Sequence, residues 1–402
     1  MRLKILYLVL IISSIACENQ KKEEVITDKP WQQIIRESRD KTLTLMMWQG
    51  DPLINRFMSD YIVPELKEQY GITLNIVNGQ GNTIVSTLMT ELEAGVSSSE
   101  VDMIWINGET FYQLRQIKAL YGPFVERLPN NEYIDLSNPF IAYDFQQPAD
   151  GYECPWGNVQ LALIYNGEQV KNPPQNLIEL EKWVREHPGK FTIGNDFTGM
   201  TVLKSWLIHL AGGKGALKGD FNEEKYKKYS AELWEYLNRI KPYWWNKGQS
   251  FPSSVAQIHQ LFANGEVWFT MSNNDSEVDN KIVQGIFPES SRAYVPETGT
   301  IQNSHFMGIV NHSSNKEAAM VVCNFLISPA VQWEKMQPAV WGDGTVLSVS
   351  ALPVEWQQKF QAIPGRKNAP DREFINERAF MEPAPEYMIR LFEDFRKEVI
   401  EK

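Results

Sequence analysis

Cysteine and histidine are scarce, three and five in 402 residues. None of His187, His209, His259, His305 and His312 stands at ligand spacing from another, and no zinc-like or redox pairing of cysteines occurs. A metal centre or thiol redox site is therefore not expected, and no cofactor is implied. The motifs Gly-x-Ser-x-Gly, His-Glu-x-x-His and the phosphate loop are missing, which removes the usual signatures of serine hydrolases, zinc proteases and nucleotide-driven enzymes. Positive charge is in deficit, with 39 Lys and Arg against 50 Asp and Glu and a formal charge of −11. A body this acidic is a poor partner for nucleic acid and suits a neutral or cationic ligand better than a polyanion. Beyond the amino terminus no apolar run approaches the roughly 20 residues of a membrane span, and neither an internal repeat nor a low-complexity tract occurs.

At the amino terminus, Arg2 and Lys4 precede the apolar run Ile5 to Ile12, and Ser13-Ser14-Ile15-Ala16 leads into Cys17. The order positive, apolar, small is that of a secretory signal peptide, and the run is too short for a retained span. A cysteine directly after the small residue resembles a bacterial lipobox, although Ser14 stands where Leu is usual. The expectation is cleavage after Ala16 and acylation of Cys17. Residues 17–30 are polar and lack apolar periodicity, so they are expected to form a flexible tether. Cys154 and Cys323 remain. Cys323 lies in an apolar helical stretch where a buried free thiol is the commoner outcome, and a disulfide with Cys154 is the alternative.

The remaining body exceeds the size that one core usually serves, so two lobes are expected. Its first part alternates strand and helix. Thr42 to Trp48 reads as a strand closed by Gly50, Pro52 to Tyr70 as a helix stopped by Gly71, and Ile72 to Val77 as a strand. A helix then carries Ile84, Leu88 and Leu92 on one face, and Val101 to Ile106 is a short buried strand. Strands separated by helices of this length indicate βαβ units and a parallel sheet. Ligands of such sheets collect at the carboxyl ends of the strands. Here those ends are Trp48-Gln49-Gly50-Asp51, Asn78 to Asn82 and Asn107-Gly108-Glu109, all polar and glycine-bearing. Strand-to-helix turns need Gly and Asn in any case, so the case for a site rests on the three together. A second lobe is expected beyond Pro123, with Trp156 to Tyr165 as a strand. Helices are expected at Thr201 to Leu210, Glu223 to Ile240 and Val255 to Phe262, followed by a strand ending at Ser272-Asn273-Asn274-Asp275. Ser304 to Asn311 then feeds the helix Asn315 to Leu326, and the tail from Pro353 is helical and charged.

This order of pieces resembles the extracellular solute-binding proteins of ABC importers, the broad class that includes maltose, iron, polyamine and thiamine binders. Val101 to Glu109, Leu261 to Val267 and Asn315 to Gln332 carry the likeness. Trp105 to Glu109, Tyr121 to Phe124, Leu128-Pro129-Asn130, Pro155-Trp156-Gly157 and Trp341 to Gly344 are similar to the YnjB-like subgroup. The resemblance implies an α/β, two-lobed periplasmic-binding-protein-like fold with a hinge and an interlobe ligand cleft. The division it suggests is 1–16 signal peptide, 17–30 lipidated tether, 31–107 first part of lobe 1, 108–300 lobe 2, 301–350 return to lobe 1, and 351–402 C-terminal helices. Crossovers are expected near Asn107 to Thr110 and near Thr300 to Ser304. The implied partners are a small solute, the permease subunits and a membrane held through the lipid. The protein is then a monomer of the cell envelope, in the periplasm or on the outer surface.

Aromatic faces stack on sugars and rings and attract cations. The candidates for the cleft are Trp48, Trp156, Trp244, Trp245 and Trp341, with Trp156 and Trp341 favoured by their glycine-rich loops. Trp105 and Trp268 lie inside strands and are assigned to the core. Glu109, Asp196, Asp275 and Asp343 end elements that should face the cleft and could pair with a cation or accept from hydroxyls, while Asp196 and Asp275 could equally cap helices. Asn107, Asn195, Asn273 and Asn274 can each donate and accept. The first choice of solute is a thiamine-like or polyamine cation, followed by a short oligosaccharide. A glycan-binding surface lipoprotein without transport is a further alternative. The rival enzyme class, a surface glycosidase using two of these carboxylates, lacks any motif that fixes an acid beside a nucleophile. The chain is read as a binder and not an enzyme.

Overall fold

A computed structural model describes residues 28–402. The signal peptide, the acylation of Cys17 and most of the tether fall outside the described residues. Eleven strands are formed there: β1 (Thr42–Met47), β2 (Thr73–Asn78), β3 (Met103–Ile106), β4 (Tyr143–Asp144), β5 (Gln147–Pro148), β6 (Glu153–Gln160), β7 (Ala162–Asn166), β8 (Phe269–Ser272), β9 (Ser291–Tyr294), β10 (Thr300–Ile309) and β11 (Ala379–Phe380).

The first lobe follows the expected alternation. β2, β1 and β3 lie parallel, and β10 joins β3 antiparallel. Leu43, Leu45 and Met47 of β1 enter one core while Met46 enters another on the opposite face, as strands covered by helices on both sides require. Pro52 at the first helical position and the Asp51 carboxylate, which accepts from Leu53 N at 2.7 Å, start the helix Pro52–Phe57. It runs through a π-helical turn, Met58–Ile62, into Val63–Tyr70, where Gly71 at φ 71 ends it.

The second lobe is built on the antiparallel sheet β8-β7-β9. Leu163, Phe269 and Met271 face one core, and Ala162 and Ile164 the other. Helices Leu177–Glu186, Phe197–Leu210, Glu223–Ile240 and Pro385–Phe395 cover the larger of the two. The C-terminal helix thus belongs to this lobe.

β6 and β10 pair antiparallel and join the lobes. At the amino end of β10, Thr300 and Ile301 pair with β11, and Ile301 enters the second-lobe core; at its other end Met307 and Ile309 enter the first. Between them the two strands carry a run of buried polar residues, Asn158 and Gln160 of β6 and Gln302 to Ser304 of β10. Gln302 Nε2 donates to Asn158 Oδ1 at 2.7 Å, Asn158 Nδ2 to Ser304 Oγ at 3.0 Å, and Gln160 Nε2 to Thr300 Oγ1 at 3.2 Å. This polar belt, hydrogen-bonded apart from Gln302 Oε1, interrupts the apolar packing and separates two cores along one pair of strands.

Two expectations need correction here. The strand Trp156 to Tyr165 is two strands, β6 and β7, divided at Leu161. The first crossover is not at Asn107 to Thr110, and residues 108–156 do not open the second lobe. Helix Glu109–Gln116 turns Phe111 and Leu114 back onto the far face of the first sheet, and Phe124, Leu128, Ile141 and Trp156 complete the first-lobe cores. The chain crosses along β6, returns along β10, and crosses again between Ile363, packed on the first core, and Ile375 in the second.

Candidate functional site

A cavity of about 720 Å³ lies between the lobes. The first lobe contributes the carboxyl ends of its parallel strands: Trp48 after β1, Gln80 to Thr83 after β2, and Asn107 to Thr110 after β3 apart from Gly108. The second contributes three helix starts, at Asp196 to Thr198, Ser253 to Val255 and Glu277, with Ser272 to Asn274 at the end of β8. The hinge adds Val159, Asn303 and His305, the loop after Lys335 adds Trp341 and Asp343, and the C-terminal helix lays Met388, Ile389, Phe392 and Glu393 along the rim. Gly108, at φ 57, is demanded by packing as well as by conformation. A Cβ there would stand 2.2 Å from the Phe145 ring.

Of the residues singled out from sequence, Trp48, Asn107, Glu109, Asp196, Asn273, Asn274, Trp341 and Asp343 border the cavity. Trp156, Trp244, Trp245, Asn195 and Asp275 do not. Trp156 is fully buried behind Trp105 and Trp341, with ring centroids 4.9 Å and 5.3 Å away. Trp244 packs on Phe191, and Trp245 donates to Glu266 at the surface. Asp275 binds Arg366 and, at 3.2 Å, Arg372 Nε. Both arginines lie in the last crossover, so Asp275 clamps a hinge segment. Coulombic attraction to them keeps its carboxyl below the usual range despite complete burial.

The sequence reading missed Trp105 and His305. Trp105 borders the cavity and is not simply core. The signal was available, because it shares the parity of Asn107 on one strand and so projects to the same side. With Trp341 and His305 it forms an aromatic wall: Trp105 lies 5.0 Å from His305, and the His305 and Trp341 rings stack at 5.6 Å and 20°. Behind that wall sits the fully buried Lys335, donating to Asp343 Oδ2 at 2.5 Å and to the carbonyls of Trp156 and Gly344. Burial holds its ammonium down to about 8, against the opposing pull of Asp343. Lys335 Nζ is 5.6 Å from the ring centroids of both Trp156 and Trp341, so an internal cation already occupies the inner faces of this wall.

Among the described residues lining the cavity, six carry carboxylates and none is Lys or Arg. Four of the six are engaged by the protein itself. Asp51 and Glu277 share Lys281 at 2.6 Å and 3.2 Å, a pair that joins the first lobe to the second. Asp196 accepts from Gly199 N at 3.0 Å and Val255 N at 2.6 Å, capping two helices. Asp343 is held by Lys335 and, at 3.1 Å, by His305. Glu393 is exposed at the rim near Lys397. Glu109 has a buried Oε2 that accepts no hydrogen bond; Asp343 Oδ1 is also unpartnered, but that carboxylate is already paired with Lys335 through Oδ2. Withdrawal from water raises the Glu109 carboxyl above the ordinary range, and Lys204 only partly offsets this.

A model of the bacterial extracellular solute-binding proteins matches residues 62–364. Protein YnjB of Escherichia coli (strain K12) is 35% identical over 336 residues, covering 83% of this chain and 86% of that protein. Among solved structures, the TpPotD lipoprotein of Treponema pallidum superposes with a TM-score of 0.65 at 13% identity, covering 90% of this chain and 100% of that one. A putative spermidine/putrescine ABC transporter from Listeria monocytogenes does so with a TM-score of 0.62 at 17% identity, covering 88% and 98%. At such identities these structures establish the two-lobed fold alone. The family match and the YnjB relationship, together with a cleft closed by both lobes, identify the chain as a member of the bacterial extracellular solute-binding proteins, a non-catalytic protein that captures a small solute between its lobes for an ABC importer.

Proposed function

We propose that the captured solute is a small organic cation bearing an amine or a heteroaromatic ring, of the polyamine or thiamine type. The observation that carries this reading is the charge of the lining: six carboxylates, no Lys or Arg, and Glu109, whose Oε2 is buried without a hydrogen-bond partner, as is Oδ1 of Asp343, although Asp343 is already paired with Lys335. A buried anion without a partner is costly, and an entering ammonium or ring cation would relieve that cost. Trp48 and the outer faces of Trp105 and Trp341 would supply stacking and cation–π contact. Asn107, Asn273 and Asn274 would accept or donate around the polar part. A volume of about 720 Å³ lies within the range typical of small-molecule pockets.

In this reading residues 1–16 direct export, acyl-Cys17 anchors a monomer to the membrane, and residues 17–30 give it reach to the permease. The order of charged, apolar and small residues before Cys17 supports this.

Calorimetric titration with spermidine, thiamine and maltose tests the solute class. Binding of a cation is expected, with Glu109→Gln weakening it by about 2–5 kcal/mol because the solute's charge then lacks its buried partner. Tight binding of maltose, with Glu109→Gln near wild type, would overturn the cation reading and leave capture for transport standing.

A further inference from the structure

Glu109 faces the cavity at the edge of a larger group of buried acids. Behind it, Asp144 of β4 and Glu382, just after β11, lie within electrostatic reach of Glu109 and of each other, and Glu153 of β6 lies within reach of Asp144. The cation that acts on Glu109, Asp144 and Glu382 is Lys204 of helix Phe197–Leu210, whose Nζ is 2.6 Å from Glu382 Oε2 and 4.1 Å from the Phe145 ring centroid. Glu382 Oε1 accepts from Asn303 at 2.9 Å, and Asp144 Oδ2 from the backbone N–H of Gly108. Arg115 attracts Glu153 from one side, its guanidinium lying 3.4 Å over the Tyr152 ring. Glu109 Oε2, Asp144 Oδ1 and both oxygens of Glu153 are buried without a hydrogen-bond partner. Of the other acids on packed elements, Glu386 engages Tyr112, Glu393 lies at the rim, and Glu91 is spent on His312.

Four carboxylates against one ammonium, with one guanidinium at the edge, cannot all stay ionised away from water. Such a group retains protons and shares them. We infer that capture of a cationic solute at Glu109 is coupled to release of a proton from the group formed by Glu109, Asp144, Glu153 and Glu382. This rests on the cation reading above. Charge balances: the solute brings one positive charge into the site, and one proton leaves through the cavity to water. The sign follows from linkage. Burial raises the acids in the solute-free protein, and the bound cation brings Glu109 back toward the ordinary carboxylate range. Affinity should therefore rise with pH, by up to about tenfold per unit, from about pH 4 to the raised value, and flatten above it.

The experiment uses the full chain and two readouts. Infrared spectra of the solute-free protein at neutral pH are expected to show a carboxylic acid carbonyl band that weakens in Glu153→Gln. Its absence overturns the proposal for any solute. Calorimetry with spermidine and thiamine, in two buffers of different ionisation enthalpy, is expected to show release of about one proton per bound solute. Glu109→Gln should bind more weakly and lose most of that release. A probe that binds wild type with no buffer-dependent heat and no pH dependence refutes proton coupling while the cation reading stands. If neither probe binds, the cation reading fails and the coupling falls with it.

Discussion

Lys281→Met should open the cleft without unfolding either lobe. Lys281 is buried at 4% side-chain exposure and bridges Asp51 of the first lobe and Glu277 of its own helix at 2.6 Å and 3.2 Å. Removing one partner of a buried pair costs about 3–5 kcal/mol when the other charge stays trapped. Here Asp51 has an escape, because parting of the lobes returns its carboxylate to water. The cost therefore falls on the closed arrangement, and about 3 kcal/mol would shift the closed-to-open ratio roughly 100-fold. Small-angle scattering should show a larger radius of gyration for the solute-free variant, and solute affinity should fall as the closed state becomes the minor one. The double variant Asp51→Asn with Lys281→Met should recover most of both, since a neutral amide keeps the cap on Leu53 N and leaves no orphan charge on the first-lobe side, while Glu277 loses Lys281 equally in the single and the double variant. Unchanged scattering and affinity in Lys281→Met, with a lower urea midpoint, would refute the latch and leave the pair a contributor to folding only.

Glu153→Gln should stabilise the protein increasingly as pH rises. Burial raises the Glu153 carboxyl well above its ordinary range. Wild-type stability from this group is thus fully present below the unfolded value and is lost as pH rises through the folded one, by up to about 1.4 kcal/mol per pH unit. Thermal melts of both proteins from pH 5 to about 9 check this, and a constant difference across that range would contradict it. Trp48→Ala should cost about 1–2 kcal/mol of solute binding with little change in stability, because the ring is only partly buried beside the cavity. Trp156→Ala should instead cost about 3–5 kcal/mol of stability, since that ring is fully enclosed; paired urea titrations and calorimetry separate the two. Cys17→Ser should leave the exported protein in the aqueous phase of a detergent partition, and a variant still held in the detergent phase would exclude acylation of Cys17.

Much of the first lobe was legible because its signals are local. Period and punctuation mark β1, the helix stopped by Gly71 and the short buried strand β3, and the strand ends delivered Trp48, Asn107 and Glu109 to the cavity. The hinge was misjudged because Asn107-Gly108-Glu109 looks the same whether the chain crosses to another lobe or starts a helix on the same sheet. The deciding residues, Phe111 and Leu114, show their partners only in three dimensions. The polar run Gln302-Asn303-Ser304 inside an apolar strand was the better marker of the crossing. Carboxylates were harder still. Sequence puts Asp275 and Asp343 at plausible loop positions, but Arg366 and Arg372, which neutralise Asp275, arrive from a distant segment, and Lys335, close to Asp343 in sequence, meets it only because the intervening loop folds back. Asp144, Lys204 and Glu382 come together from three parts of the chain with no shared pattern.

The central claim is that the cleft selects positive charge. Its most direct test is to purify the protein from its native envelope without added solute, denature it, and identify the released small molecules by mass spectrometry in both polarities. The lining of carboxylates without Lys or Arg predicts an amine or ring cation present in a fixed ratio to protein and lost from Glu109→Gln. A stoichiometric phosphate- or carboxylate-bearing anion, retained by Glu109→Gln, would contradict the account.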